Sequence, residues 1–235
     1  MEDYFLKLIS AEKSYGETKI LKDISIGLHK GRTVGLLGEK GAGKTTLCKL
    51  ICGIERQTEG KILFDGKKIK KDTKKRIRFL LSEDDISKFK TISEIFDFYE
   101  TFYPDFSRKK AIDLMRTLGM DTEQKIANNK GINQLTALCV LGSGSADLYV
   151  LDEPLNYYDR SERAFYLKEV FRTFETHPLI IISTEILRGI EPLLDDVVFM
   201  HEGRVKLCKS VEEIRIRTGK GAEDFYKEVY GFGNL

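Results

Sequence analysis

Apolar and polar positions along this chain follow two rhythms, one of period two and one near 3.6. Short apolar or alternating runs at residues 4–9, 20–28, 33–37, 61–64 and 77–81 predict strands in the first third. Turns punctuate them at Tyr15-Gly16-Glu17, Lys30-Gly31-Arg32 and Asp65-Gly66, the last a strong hairpin signal. Beyond that third the rhythm becomes helical. Ile92, Ile95, Phe96, Tyr99, Phe102 and Tyr103 share one face of a helix expected over 91–103, with Thr91 or Ser93 as its cap. Pro104 breaks it, an amphipathic helix follows over 107–118, and 134–141 is again helix-like. Strands return at 148–151, 179–183, 197–201 and 204–207, with a helix expected over 161–174 and a charged, aromatic one over 222–230. Alternating strands and helices predict an α/β fold with a mostly parallel sheet. A helical part over about 84–140 is expected as an insertion in a core made of 1–83 and 141–235.

The junction after the run at 33–37 carries the most specific chemistry. Gly38, Glu39, Lys40, Gly41, Ala42, Gly43, Lys44, Thr45 and Thr46 spell G-x-x-x-x-G-K-[ST] and one residue more. Glycines let successive N–H groups turn inward on a phosphate, and the following helix N-terminus adds partial positive charge. Lys44 is expected on the terminal phosphates and the Thr45 hydroxyl on Mg²⁺, which predicts a bound nucleoside triphosphate. Farther along, the apolar run at 148–151 delivers Asp152 and Glu153 together, just before Pro154. Two adjacent acids are costly to bury without a cation nearby. Asp152 is therefore expected to hold the Mg²⁺ with Thr45, and Glu153 to polarise an attacking water as the catalytic residue.

Composition narrows this picture in three ways. At 235 residues the chain can bury a substantial core in one large α/β domain. Its formal net charge of +2 argues against a chain whose main business is coating nucleic acid. The local exception is KKIKKDTKKRIR at 67–78, with eight basic residues and one acidic one. It reads either as a solvated turn and short helix or as a contact for phosphate or acidic lipid headgroups. Cys48, Cys52, Cys139 and Cys208 share no metal-ligand spacing with the histidines, and Cys48 and Cys52 suit the buried face of one helix. The opening MEDYFLKLIS is too charged for a secretory leader, and no apolar run approaches the length of a bilayer span. A cytoplasmic chain that meets a membrane only through a partner is expected.

Joined to the segments LKDISIGLHKGRTVGLLGEKGAGKTTL, EGKILFDGKKI, ETFYPDFSRKKAIDLMRTLGMD and STEILRGIEPLLDDVVFMHEGRV, these motifs make the chain resemble the nucleotide-binding subunit of ABC transporters. The resemblance covers nearly the whole length and is nearest to ATPases of bacterial ABC-2 type exporters. It implies a P-loop NTPase fold with a RecA-like core, a small antiparallel β-subdomain and an inserted helical subdomain. It also implies ATP and Mg²⁺ as ligands, and an integral membrane permease as partner at the inner face of the cell membrane. Two such domains, identical or sister chains, are implied to close head-to-tail around two ATP molecules; no nucleic acid is expected. Tyr15 falls where the family stacks a ring on adenine, and Asn129 and Gly131 fall in the signature that grips the partner's nucleotide.

Several positions depart from that pattern. Ser82-Glu83 stands where the family has a glutamine touching Mg²⁺ and water. The signature, resembling LSGGQ, should fall at Asn128-Asn129-Lys130-Gly131-Ile132, where Gly131 is retained and Asn129 replaces a serine. An asparagine amide still donates a hydrogen bond. Glu185 replaces a phosphate-sensing histidine, Glu39-Lys40 replace Pro-Asn, and Tyr157-Tyr158-Asp159 is an unusual contact loop. A carboxylate beside a phosphate repels it. Losing one preorganised donor costs about 2.7–4 kcal/mol of rate barrier, so ATP should bind well and be hydrolysed slowly. Two alternatives stay open: an ATP-gated regulatory subunit with little turnover, and a soluble ABC protein acting on ribosome or DNA.

Overall fold

In this computed structural model, which describes residues 4–122, 126, 129–187 and 189–230, the expected rhythms become two sheets and a set of helices. β1 (Leu6–Tyr15) and β2 (Thr18–Leu28) form an antiparallel hairpin turned at Gly16. β3 (Thr33–Gly38) leads into α1 (Lys44–Ile51). β4 (Glu59–Phe64) turns at Asp65-Gly66 into the short β5 (Lys67–Lys68). Both turn residues have positive φ, 51° and 69°, as a two-residue hairpin with the strands' own twist requires. Next come α2 (Lys71–Lys74) and β6 (Ile77–Phe79). Four helices follow: α3 (Glu83–Ile86), α4 (Ile92–Phe102), α5 (Arg108–Thr117) and α6 (Lys130–Gly142). β7 (Leu148–Asp152), α7 (Arg160–Phe171) and β8 (Leu179–Thr184) restore the α/β alternation. After a 3₁₀ turn at Glu191–Leu193, β9 (Asp196–His201), β10 (Arg204–Ser210), α8 (Val211–Thr218) and α9 (Ala222–Tyr230) complete the described chain.

One sheet has four strands in the order β2-β1-β4-β5, all antiparallel, and the other six in the order β10-β9-β3-β8-β7-β6. In the second, β3 pairs parallel with both β8 and β9, and β7 pairs parallel with β8. All six residues of β8 are buried, the near-continuous burial expected of a parallel strand covered on both faces. Packing divides the chain into two compact units. The first is Met1–Arg78, Asp147–Glu153 and His177–Leu235; the second is Phe79–Ala146 and Pro154–Thr176.

In the second unit, α6 is the centre, buried at nearly every position from Gly131 to Gly142. Its start lies ahead of the apolar run because Asn133 and Gln134, though polar, are buried too, and Asn129 caps the helix. Thr91, not Ser93, caps α4 by accepting the Glu94 N–H at 3.2 Å. Ile92, Ile95, Phe96 and Tyr99 of that helix are buried as periodicity demands, but Phe102 is 63% exposed. The expected stripe outruns the packing surface at the helix's last turn. α8 was not expected, because only Val211 and Ile214 of its residues are buried.

Candidate functional site

Strand order sets the site. β3, β8 and β7 are neighbours and parallel, so their carboxyl ends reach one edge of the sheet. Leu37 pairs with Thr184 and Asp152 with Ser183, which brings the loop after Gly38 together with Glu185 and Glu153. Crevices at such carboxyl ends are where open α/β sheets take ligands.

The loop itself is shaped by glycine. Gly43 has a φ of 96°, and a Cβ there would stand 2.7 Å from Leu21 Cδ2. A Cβ on Gly38 would stand 2.8 Å from the Met200 carbonyl oxygen. No side chain caps α1, and its first turn holds no acidic residue. Its leading N–H groups and dipole therefore remain available to an anion. Lys44 is only 6% exposed, and its Nζ donates to the Gly38 carbonyl at 2.7 Å and to that of Glu39 at 3.2 Å. Two carboxylates share the same ammonium: Glu153 Oε1 at 3.3 Å and Glu185 Oε1 at 3.9 Å. Sequence reasoning expected Glu185 to repel phosphate; its pairing with Lys44 was not foreseen.

Asp152 and Glu153 are held by Ser183, a fully buried residue of β8. The Glu153 N–H donates to Ser183 Oγ at 3.0 Å, and that hydroxyl donates in turn to Asp152 Oδ1. Glu153 has a φ of 45°, a left-handed conformation that costs a non-glycine residue energy and is concentrated at functional sites. Burial pushes its carboxyl above the ordinary range; Lys44 opposes this, while Glu185 and Asp152 add to it. The donor set also fits a hard cation. Thr45 is exposed and its hydroxyl makes no hydrogen bond among the described residues, and Asp152 accepts only the Ser183 hydroxyl. Oxygen donors of this kind are what Mg²⁺ takes.

Glu39 has a role that its position in the loop did not announce. The Tyr226 hydroxyl of α9 donates to Glu39 Oε2 at 2.8 Å and lies 3.0 Å from the Met200 carbonyl oxygen. The Glu202 N–H donates to Glu39 Oε1 at 3.2 Å, and His201 Nδ1 lies 3.1 Å from the same oxygen. Burial pushes the Glu39 carboxyl up, but these hydrogen bonds outweigh it and hold the group below its ordinary range. Glu39 thus moors the loop to the turn between β9 and β10 and to α9. Lys40 and Gly41 are exposed at the tip, Ala42 is buried, and Thr46 is half-buried.

Tyr15 lies in the same unit, 47% exposed. Its hydroxyl donates to Glu55, Thr46 is within hydrogen-bonding reach, and Lys13 Nζ stands 4.8 Å from the ring centroid. Ser82, Asn129 and Gly131 belong to the second unit. Ser82 is engaged as a cap, donating to Asp85 Oδ2 at 2.8 Å while accepting the Asp85 N–H at 3.2 Å. Asn129 accepts the Ile132 N–H at 3.1 Å, which leaves its amide NH₂ as a donor. Gly131 opens the first turn of α6, with Tyr157 and Tyr158 near its Cα. Asn128 of the expected signature lies outside the described residues. No helix among the described residues is long and apolar enough to cross a membrane.

Comparison with known proteins gives this geometry a context. The family profile described as ABC transporter matches residues 21–156, from within the first half of β2 past Asp152-Glu153. The lantibiotic transport ATP-binding protein SrtF of Streptococcus pyogenes is 28% identical over 211 residues, covering 88% of this chain and 91% of its own. The aliphatic sulfonates import ATP-binding protein SsuB of Zymomonas mobilis is 24% identical over 213 residues, covering 90% and 88%. Among solved structures, cbiO1 of Clostridium perfringens, part of the ABC transporter complex cbiONQ, superposes with a TM-score of 0.73 at 23% identity over 93% of this chain and 97% of that one. The match to that structure bears on the fold, a P-loop NTPase domain of mixed α/β sheets. With the family profile spanning the phosphate loop and both carboxylates, the chain belongs to the ABC transporter family as an ATP-binding subunit.

Proposed function

We propose that this chain holds MgATP at residues 38–46 and couples its binding, with slow hydrolysis, to a membrane permease. Closure head-to-tail with a second ATPase domain, identical or a sister chain, completes each nucleotide site in this reading. Export is the direction proposed, on the strength of the chain's likeness to ABC-2 type ATPases.

The observation that carries the reading is Lys44. A buried ammonium, bonded to two loop carbonyls and flanked by two carboxylates, stands at the mouth of a glycine-shaped loop. Anionic oxygens gather there in the chain alone, where triphosphate oxygens would gather in the complex. Thr45 and Asp152 would hold Mg²⁺, which supplies neutralisation of the phosphate charge. Tyr15 offers a half-exposed ring to adenine. Glu153, as a carboxylate, accepts a hydrogen bond from the attacking water and orients it, while Ser183 fixes its backbone. Gly131 and the Asn129 amide are proposed to reach the partner's nucleotide. Slow turnover follows from Glu185: a carboxylate stands where a donor to the developing charge would lower the barrier by about 2.7–4 kcal/mol. Exposed Phe98 and Phe102, with ring centroids 4.8 Å apart and planes tilted by 44° on α4, support the second unit as the permease contact.

The test is turnover beside binding. Wild-type protein should hydrolyse ATP slowly, and Glu153→Gln should lose hydrolysis while retaining MgATP. Turnover undiminished by Glu153→Gln would overturn the assignment of Glu153.

A further inference from the structure

The basic run at 67–78 takes no part in the site described above. In the first unit it forms one wall of a cavity of about 740 Å³ beside the C-terminal end of α1. Six cations line it: Arg56, Lys61, Lys68, Lys70, Lys71 and Lys74. Leu50, Ile62 and Ile69 give it an apolar part, and Gly53 packs so closely on Ile69 that a Cβ there would stand 2.6 Å from Ile69 Cγ2. The volume is that of a small-molecule site. It shares no lining residue with the phosphate loop, and the eight residues of α1 put about 12 Å between the two ends of that helix.

Charge makes the cavity unusual. Its one carboxylate, Glu55, is already engaged by Lys13 at 3.2 Å, Lys49 at 3.9 Å and the Tyr15 hydroxyl. None of the six lining cations forms an ion pair with a described carboxylate, whereas Arg76 of the same basic run pairs with both Asp65 and Asp147. A second cavity of about 490 Å³ adjoins the first, sharing Lys68 and Lys70 and adding Lys67 and Arg76, with Asp72 its one acid. The C-terminal dipole of α1 opposes an anion here with only about half a charge, and its last carbonyls are bonded to the N–H groups of Gly53, Ile54 and Glu55. Six uncompensated cations around one concavity repel one another and focus a positive potential into it. Five of the six are lysines, mobile point charges suited to clustered phosphates of varied geometry rather than to one planar carboxylate.

We propose that this cavity is a second anion site, for a ligand bearing several phosphate groups, separate from the nucleotide loop. Two sources share that chemistry, a free oligophosphate and a patch of anionic lipid headgroups. The experiment uses Lys44→Ala protein, in which the nucleotide loop is silenced, and its derivative with Lys68→Gln, Lys71→Gln and Lys74→Gln added. Each is titrated with inorganic tripolyphosphate without Mg²⁺, and each is floated with vesicles of phosphatidylglycerol or of phosphatidylcholine alone. Thermal melts confirm that both proteins are folded; these lysines are exposed, and if the triple variant melts early, Arg56→Gln with Lys61→Gln replaces it.

Saturable tripolyphosphate binding to Lys44→Ala, weakened about tenfold or more in the triple variant, assigns the site to a free oligophosphate; tenfold is roughly 1.4 kcal/mol over three cations. Flotation with phosphatidylglycerol alone, lost in the triple variant, assigns it to headgroups. Binding that disappears with Lys44→Ala, or that the lysine substitutions leave unchanged, overturns the proposal and leaves the nucleotide site untouched. Wild-type protein carrying only the three lysine substitutions should bind MgATP as before.

Discussion

Replacing Glu185 by glutamine should tighten MgATP binding, and the size of the effect follows from one distance. Glu185 Oε1 stands 3.9 Å from Lys44 Nζ, and the Glu185 side chain is 49% exposed. Two unit charges at that separation interact by about 1 kcal/mol in water and about 4 kcal/mol at an effective dielectric of 20. Half exposure places the pair toward the lower figure, because solvent screens it. A triphosphate entering the loop must take Lys44 from this competitor and then tolerate a negative neighbour. Both costs vanish with a neutral amide of nearly the same shape. Glu185→Gln should therefore lower the Kd for MgATP about fivefold or more, an effect of roughly 1 kcal/mol. It should also make the loss of affinity with added salt steeper, since the variant lacks the like-charge repulsion that screening relieves in the wild type. Calorimetric titration at two ionic strengths reads both. Glu185→His should go further and raise turnover, because an imidazole donates to developing charge where a carboxylate cannot. An unchanged Kd and salt response in Glu185→Gln would refute the reasoning: Lys44 would then not be contested by this carboxylate.

Three other expectations are read by stability and binding. Gly43→Ala forces a side chain onto a φ of 96° and against Leu21, so denaturant unfolding should show a loss of about 1–3 kcal/mol together with lost MgATP binding. Ser183→Ala removes the donor to Asp152 and an acceptor of the Glu153 N–H at a fully buried position; about 1–3 kcal/mol of stability should go, with weaker Mg²⁺-dependent binding. Glu153→Gln should raise the melting temperature of the nucleotide-free protein near neutral pH. The sign follows from its raised carboxyl: the folded chain holds that proton more tightly than the unfolded chain, so stability is lost as pH rises through the folded value. The advantage of the glutamine variant should shrink toward zero as pH falls below the ordinary value of 4.5, and an advantage independent of pH would contradict the burial argument.

How much of this was legible in the sequence depends on how far apart the partners lie. The stretch at 38–46 is contiguous, so its pattern could be read directly, while the close approaches of Gly38 to Met200 and of Gly43 to Leu21 that the fold adds could not. Asp152 and Glu153 drew attention because an apolar run delivers both acids about a hundred residues after a phosphate-loop pattern; a strand end turned by Asp-Glu-Pro is common enough alone. Their support was not legible: Ser183 lies thirty-one residues beyond Asp152, and only the parallel register of β7 and β8 brings them together. The mooring of Glu39 by Tyr226 spans 187 residues and joins two side chains of ordinary type, so no local pattern marks it. Asn129 and Ser82 illustrate a different gap. Both are short polar residues that cap helix starts, yet the residues that follow them, Glu83-Asp84-Asp85 and Lys130-Gly131, carry no apolar run to mark a helix there. Helix edges moved for a related reason, since a cap fixes a boundary where periodicity only fixes a face. Phe102 obeys the period of α4 yet stays exposed, because a stripe of rings says which side is apolar and not how far its neighbour extends.

Calorimetric titration of the wild-type chain and of Lys44→Ala with MgATP tests the central claim most directly. The account predicts one saturable site in the wild type and no measurable heat in the variant, whose fold a melting curve should leave intact. A flat wild-type titration, or equal affinity in Lys44→Ala, would contradict it.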